Sequence, residues 1–236
     1  MTQRRWIADE VSGNRAALTG AHAQHLSRVL RARVGQRFDI ATGAAVRTGV
    51  VSAVSDSRVE FELGEECPNQ VAPAVTMALA IFKFDRMEWA IEKCTELGVL
   101  RIIPVIAQRT ESHLAAAALK RSERWQRIAR QAAEQSRSSA VPEIAEPMKL
   151  KELLKDLNDA RIVLSEGEHG LMLKNAVLDQ TNPITVAIGP EGGWAEAELI
   201  QFRDAGWVSA SLGNTILRAE TAAIAAMAVI LSELHR

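Results

Sequence analysis

The pattern of apolar and polar positions changes character at about residue 70. Before that point the apolar residues alternate with polar ones, as in Val59-Glu60-Phe61-Glu62-Leu63. Alternation of period two is the mark of a strand with one buried face. It predicts strands over Arg4–Ile7, Ala16–Leu18, Arg37–Ile40, Thr48–Val54 and Arg58–Leu63, with one helix near Ala21–Leu30, which together make a small barrel. The stretch Cys67-Pro68-Asn69-Gln70-Val71-Ala72-Pro73 then breaks the pattern and reads as a linker.

Beyond the linker the apolar runs become continuous. Val75–Phe82, Arg101–Ile106, Arg161–Leu164, Ile184–Ile188 and Trp207–Ala210 read as strands, interleaved with helical segments at 84–97, 119–137, 195–204 and 219–234. Strands without alternation are buried on both faces, and their interleaving with helices predicts an α/β fold around a parallel sheet. Ligands in such sheets bind beyond the carboxyl ends of the strands. The alanine-rich Ala115–Ala118 reads as a helix start or a loop, and Trp89 and Trp125 read as core positions of their helices.

Composition narrows the class without naming a function. Apolar residues make up 47% of the 236 and charged ones 24%, the balance of a folded globular protein and not of a disordered one. The net charge is only −1, yet residues 1–50 carry +5 by count and residues 109–137 carry +4. Such clusters either face phosphate or lie on solvated helix faces. Cys67 and Cys94 are too few for a disulfide framework and too far apart for a redox or metal motif, which suits a reducing compartment. The start of the chain lacks an apolar signal core, and the longest apolar run, Ala222–Leu231, is too short for a membrane span, so the expectation is cytoplasmic with no membrane partner. His22 and His25 have no acidic or cysteine neighbour in the sequence, so no metal is expected.

Two loops carry candidate chemistry. Ile188-Gly189-Pro190-Glu191-Gly192-Gly193-Trp194 follows a strand directly and precedes a helix opened by Glu196 and Glu198. Its glycines permit positive φ and a close approach of backbone to ligand, while Glu191 would repel a phosphate; the rival reading is an ordinary tight turn. Leu212-Gly213-Asn214-Thr215-Ile216-Leu217-Arg218-Ala219-Glu220-Thr221-Ala222 again joins a strand to a helix, and places Arg218, Glu220 and Thr221 where free backbone N–H groups and fixed side chains can face a ligand. Capping by Thr215 or Thr221 explains part of this, but not the arginine.

With these motifs on view the sequence resembles the RsmE family of 16S ribosomal RNA uridine-N3 methyltransferases, in the SPOUT superfamily. The similar pieces are His25-Leu26 with Val29-Leu30-Arg31 and Gly35; Lys83 with Arg86-Met87-Glu88-Trp89, Lys93 and Thr95-Glu96-Leu97-Gly98-Val99; Glu134-Gln135-Ser136 with Val141-Pro142; Gly189-Pro190-Glu191-Gly192-Gly193; and Leu212-Gly213 with Ile216-Leu217-Arg218-Ala219-Glu220-Thr221-Ala222. The family follows Glu-Gln-Ser with further arginine within three residues, whereas this chain has Arg137-Ser138-Ser139-Ala140.

The resemblance implies a PUA-like RNA-binding barrel over residues 1–70, a SPOUT domain over 74–236 with a deep trefoil knot, a homodimer, and S-adenosyl-L-methionine as cofactor. The implied partner is 16S ribosomal RNA or the small ribosomal subunit. The implied cofactor residues are Gly189, Pro190, Glu191, Gly192, Gly193, Leu212, Gly213, Ile216, Leu217, Thr221 and Ala222, and Leu164 and Ser165, which close the preceding strand, are expected to line the same pocket. Uridine N3 is a weak acid, so the site needs a proton acceptor, for which Glu191 and Glu220 are candidates, and a cation for the charge left on the uracil, for which Arg218 and Arg137 are candidates. Arg28, Arg31, Arg33 and Arg137 are the expected RNA contacts. Two rival classes remain open on the residues alone: an α/β enzyme whose Gly189–Gly193 loop holds a nucleotide phosphate, and an RNA-binding protein without catalysis.

Overall fold

The computed structural model describes residues 5–43, 45–67, 74–136, 138, 140–155, 160–178 and 183–234. They form two compact units. The first comprises Met1–Val71 with Ala133–Val141, and the second Ala72–Ala132 with Pro142–Arg236. The expected boundary near residue 70 thus has an addition: Ala133 and Val141 join Ile7, Ala41 and Val46 of the first unit in one apolar cluster. Most of the linker stretch, from Pro68 to Pro73, lies outside the described residues.

In the first unit, β1 (Arg5–Ile7), β2 (Glu10–Ser12), β3 (Arg15–Thr19), β4 (Arg37–Ala41), β5 (Val46–Val54) and β6 (Arg58–Glu66) form a sheet in the order β1-β4-β5-β6-β3-β2. The two ends of that order are consecutive along the chain, joined only by Ala8 and Asp9. The N–H of Ala8 donates to Ala41 O of β4, and that of Asp9 to Ala17 O of β3, each at 2.9 Å. Trp6, Leu18, Leu26, Phe38, Ile40, Val51, Val59, Phe61 and Leu63 pack together inside, among them the three apolar residues of the alternating Val59–Leu63 stretch. The sequence pattern misses β2 because all three of its side chains are exposed. The predicted helix is α1 (Gly20–Gln24), which widens into a π-type turn over His25–Val29, where Leu30 N–H donates to His25 O at 3.0 Å. His22 has acidic neighbours after all: Asp9 at 3.5 Å from Nδ1, and Glu134, more than a hundred residues away in sequence, at 3.0 Å from Nε2.

In the second unit, β7 (Val75–Ala80), β8 (Arg101–Ile106), β9 (Glu143–Ile144), β10 (Met148–Lys149), β11 (Ala160–Leu164), β12 (Ile184–Ile188) and β13 (Val208–Ala210) form an all-parallel sheet, in the order β10-β8-β7-β12-β11-β13 with β9 also on β8. Every residue of β7 and β12 is buried, as central strands require. The edge partner of β8 is split into two dipeptides on either side of Ile103-Pro104, and a proline has no N–H to donate there. Two-residue strands leave no periodic trace, so β9 and β10 are invisible in the sequence.

The helices are α2 (Phe84–Glu96), α3 (Ser112–Ala118), α4 (Ser122–Gln135), the short α5 (Leu150–Leu153) and α6 (Leu173–Ala176), α7 (Glu196–Asp204) and α8 (Ala219–Leu234). A single 3₁₀ turn, Leu119–Arg121, separates α3 from α4, so helix begins seven residues before the predicted 119. On α2 the buried residues Met87, Ala90, Ile91 and Cys94 follow the spacing of one helix face. Trp89 lies about half a turn round from that stripe and is 50% exposed, which corrects the expectation that it sits in the core; Trp125 is fully buried, as expected. No described helix is long and apolar enough to cross a membrane.

Candidate active site

Parallel packing sends the carboxyl ends of β11, β12 and β13 to the same edge of the sheet, and the loops that follow them enclose a cavity of about 260 Å3. That is room for a small molecule. Its wall takes Leu164 and Ser165 with Glu166 and Gly167 from the first loop. Gly189, Pro190, Gly192, Gly193 and Trp194 come from the second; Ser211, Leu212, Gly213, Thr215 and Leu217 from the third; and Ala219 and Ala222 from the first turns of α8.

Each loop has a local reason for its shape. In the second, Gly193 N–H donates to Pro190 O at 2.8 Å, closing a tight turn whose last residue has φ +68°. That conformation is open to glycine and costly for other residues. A Cβ on Gly189 would lie 3.2 Å from Trp194 N and 3.3 Å from Trp194 Cδ1, so the backbone turns back on itself there and a side chain would be tight against it. Trp194 is 6% exposed and stands on edge against Phe202, which in turn meets Trp207, with ring centroids 4.9 Å apart in both pairs. In the third loop Ser211 Oγ both donates to Gly213 O and accepts from Gly213 N–H.

Ten of the thirteen residues expected at the cofactor line the cavity. Glu191, Ile216 and Thr221 do not. Glu191 sits at the exposed corner of the Pro190–Gly193 turn, and Ile216 is 80% exposed. For Thr221 the helix period gives the reason: Ala219 and Ala222, three apart, share the face towards the cavity, so the two residues between them point elsewhere. The same geometry removes Glu220, which is 3% exposed, with Oε1 3.8 Å from Arg86 Nε and Oε2 without a partner. Arg218, also outside the wall, is exposed next to Leu217, and its carbonyl accepts from Ala222 N–H at the start of α8. Arg137 lies outside the described residues.

The wall holds ten residues beyond the ten expected, and one of them comes from a loop that the sequence reading did not single out. Arg109, from the loop after β8, reaches the cavity and donates through Nη1 to Gly192 O. That loop is held down firmly. Gln108 N–H donates to Glu198 Oε1 at 2.8 Å, while Ala195 N–H donates to the other oxygen of the same carboxylate at 2.9 Å. Thr110 Oγ1 donates to Ile81 O at 3.0 Å and accepts from Ala107 N–H. Glu198 is 4% exposed, a buried carboxylate satisfied by two backbone donors from two of the loops that line the cavity. The available signal was weak: a polar Gln-Arg-Thr at the carboxyl end of a strand in a parallel sheet.

Neither cysteine belongs to the wall. Cys94 is buried on α2, and burial pushes its thiol up to about 12. Among the described residues no cluster of His, Cys, Asp and Glu is suited to a metal ion.

Comparison with known proteins assigns this architecture to a family. A model for the RNA methyltransferase domain matches residues 69–231, which include every residue of the cavity wall. A ribosomal RNA small subunit methyltransferase E from Synechocystis is 32% identical, over 90% of this chain and 71% of the relative. The chain belongs to the ribosomal RNA small subunit methyltransferase E family. The family member of that name from Bacillus subtilis is 30% identical over 91% of this chain and 88% of its own. The family's structures superpose on nearly the whole chain: the Neisseria gonorrhoeae enzyme, bound to S-adenosyl methionine, has a TM-score of 0.83 at 30% identity, covering 98% of each chain. A putative methyltransferase from Legionella pneumophila, in complex with the same cofactor, has a TM-score of 0.83 at 26% identity with the same coverage.

The basic cluster expected to meet RNA lies in the first unit. Arg28, Arg31 and Arg33 are all exposed, where the π-type turn ends. Arg31 has φ +51°, a left-handed conformation that costs a residue with a Cβ about 1–2 kcal/mol. Arg28 is already engaged: its Nη2 donates to Asp56 at 2.7 Å, which raises the guanidinium's pKa and lowers that of the carboxyl.

Proposed function

We propose that this chain transfers the methyl group of S-adenosyl-L-methionine to N3 of a uridine in 16S ribosomal RNA of the small ribosomal subunit. The observation that carries the reading is the cavity: loops at the carboxyl ends of parallel strands, bare backbone at five glycines, a lining of mixed polarity, and just two charged wall residues, Arg109 and Glu166, of opposite sign. A nucleotide polyphosphate would want several cations; a small ligand carrying both charges fits. The name of the family and the bound cofactor of its members support the same chemistry.

In this reading Leu164, Ser165, Gly189, Pro190, Gly192, Gly193, Leu212, Gly213, Leu217 and Ala222 hold the cofactor. When bound, it supplies an electrophilic methyl carbon on a sulfonium, and S-adenosylhomocysteine is the leaving group. The chain's own task is to hold the uracil in line with that carbon and to manage the N3 proton. Of the two carboxylates considered as proton acceptor, Glu191 lies on an exposed turn that a large substrate reaches, whereas Glu220 is enclosed beside Arg86. Arg218, exposed beside the wall, is the cation for the negative charge that spreads over the uracil oxygens. Arg28, Arg31 and Arg33 contact phosphate, which sets affinity and not sequence.

The same reading takes the first unit as a PUA-like barrel, supported by the chain continuity between the end strands of its sheet. It takes the second as a SPOUT domain with a deep trefoil knot, working as a cytoplasmic homodimer without a metal. Sedimentation tests the dimer, and pulling the chain from both ends tests the knot, which leaves an unfolded length shorter than the contour.

The decisive experiment is transfer of a labelled methyl group to undermethylated small-subunit particles or RNA, with the modified base identified by mass spectrometry. 3-Methyluridine is expected. Binding of RNA with no transfer would leave a non-catalytic protein, and methylation of another atom would overturn the N3 assignment. Arg218→Ala should lower the single-turnover rate by about 10²–10³-fold, the usual order for one preorganised charge, with cofactor affinity little changed. A near-normal rate would refute its role.

A further inference from the structure

We propose that Arg109 is the residue that recognises the carboxylate of the cofactor's methionine part, held in place for that purpose by Gly192 and by Glu198. This rests on the reading of the cavity as the S-adenosylmethionine site. Three observations lead to it.

Arg109 is the sole cation among the described residues of the wall. A sulfonium cofactor carries positive charge at sulfur and at its amino group. A guanidinium in the wall of such a site repels both, unless it meets the one anionic group that the ligand possesses. That group is the α-carboxylate, whose two oxygens match the planar fork of an arginine.

The guanidinium is also unspent. Its recorded bond is the one from Nη1 to Gly192 O, and no described carboxylate lies within ion-pair distance of it. Of its five N–H groups, four remain for a ligand. Its stem packs beside Gly192, where a Cβ would meet Arg109 Cδ at 3.4 Å, at van der Waals contact.

The position is fixed from both flanks, on one side by Glu198, whose carboxylate also caps the first turn of α7 through Ala195 N–H. The buried Glu198 carboxylate accepts one N–H from Gln108, next to Arg109, and one from Ala195, at the end of the glycine loop. Thr110, on the other side, is tied to Ile81. A loop anchored on both flanks of one arginine is a preorganised mount, and the Gln108 bond ties it to the capped start of α7. Glu198 is accordingly a positioning residue. Fixing a long, flexible side chain before the ligand arrives reduces the ordering cost of binding.

The test is a cycle of two ligands and two proteins, read by calorimetry. The ligands are S-adenosylhomocysteine and its decarboxylated analogue, which keeps the amino group and lacks the carboxylate. Wild type should prefer S-adenosylhomocysteine by about tenfold, the order expected for a charged bond at a partly exposed site. Arg109→Ala should weaken S-adenosylhomocysteine by the same factor, leave the analogue within about twofold, and so abolish the preference. Arg109→Lys should recover part of it. Equal weakening of both ligands would make Arg109 a builder of the loop and overturn the proposal. Unchanged affinities with a lost transfer rate would assign the guanidinium to the uracil instead. If wild type binds neither ligand, the reading of the cavity itself fails, which is a separate result.

Discussion

Replacing Glu198 by alanine removes one side chain and releases two backbone donors. The two are not equal. Ala195 is 8% exposed, so its N–H would be left without a partner and largely out of reach of water, a loss of about 1–3 kcal/mol. Gln108 is exposed, so its N–H can turn to solvent and forfeits only the net worth of a bond, about 0.5–1.5 kcal/mol. The sum is a destabilisation of about 1.5–4.5 kcal/mol. Glu198→Gln keeps one acceptor oxygen but sets an amide N–H₂ against the other donor, so it should lose roughly half as much. Urea unfolding followed by tryptophan fluorescence measures both, because Trp194 and Trp207 flank Phe202 in the cluster beside Glu198. At temperatures where both variants stay folded, S-adenosylhomocysteine should also bind more weakly, since the mount of Arg109 has been loosened. An alanine variant within about 0.5 kcal/mol of wild type, the usual range of an idle surface position, would refute the reasoning.

Phe202→Ala should cost about 3–5 kcal/mol, since a fully buried ring between two indoles leaves a cavity that stiff neighbours cannot close; a loss under 1 kcal/mol in the same unfolding assay would contradict this. Replacing Arg28, Arg31 and Arg33 together with alanine should flatten the salt dependence of RNA binding by about 1.5–2 in log–log slope, somewhat less than three full phosphate contacts, because Asp56 already holds Arg28. Asp56→Asn should therefore tighten RNA binding at low salt, and equal slopes in all three proteins would return the cluster to a solvated face. With its thiol raised to about 12, Cys94 has a thiolate fraction of about 10⁻⁴ at pH 8, so iodoacetamide should label Cys67 in the folded protein and reach Cys94 only after unfolding.

What could be read from the chain was what neighbouring residues decide among themselves. The alternation in Val59–Leu63, the unbroken run Ile184–Ile188 and the stripe of Met87, Ala90, Ile91 and Cys94 each have one regular structure that buries them, so strand, central strand and helix were legible. The glycines after β12 announced a close backbone approach, because a positive φ at Gly193 is a local demand. The strand-loop-helix order alone placed those loops at one edge of a parallel sheet. Tertiary structure decided the rest. Whether Ala219 and Ala222 or Glu220 and Thr221 meet the cavity depends on the phase of α8, which is set by what α8 packs against. Trp89 looks apolar in a list of residues, and only the direction of the buried stripe on α2 puts it outside. Arg109 meets Gly192 across 83 positions, and Gln108 meets Glu198 across 90. No pattern of spacing encodes such pairs. They exist because β8, β7 and β12 lie side by side in the sheet, so that loops far apart in the chain end at the same edge, where a bare glycine carbonyl and a buried carboxylate find their donors.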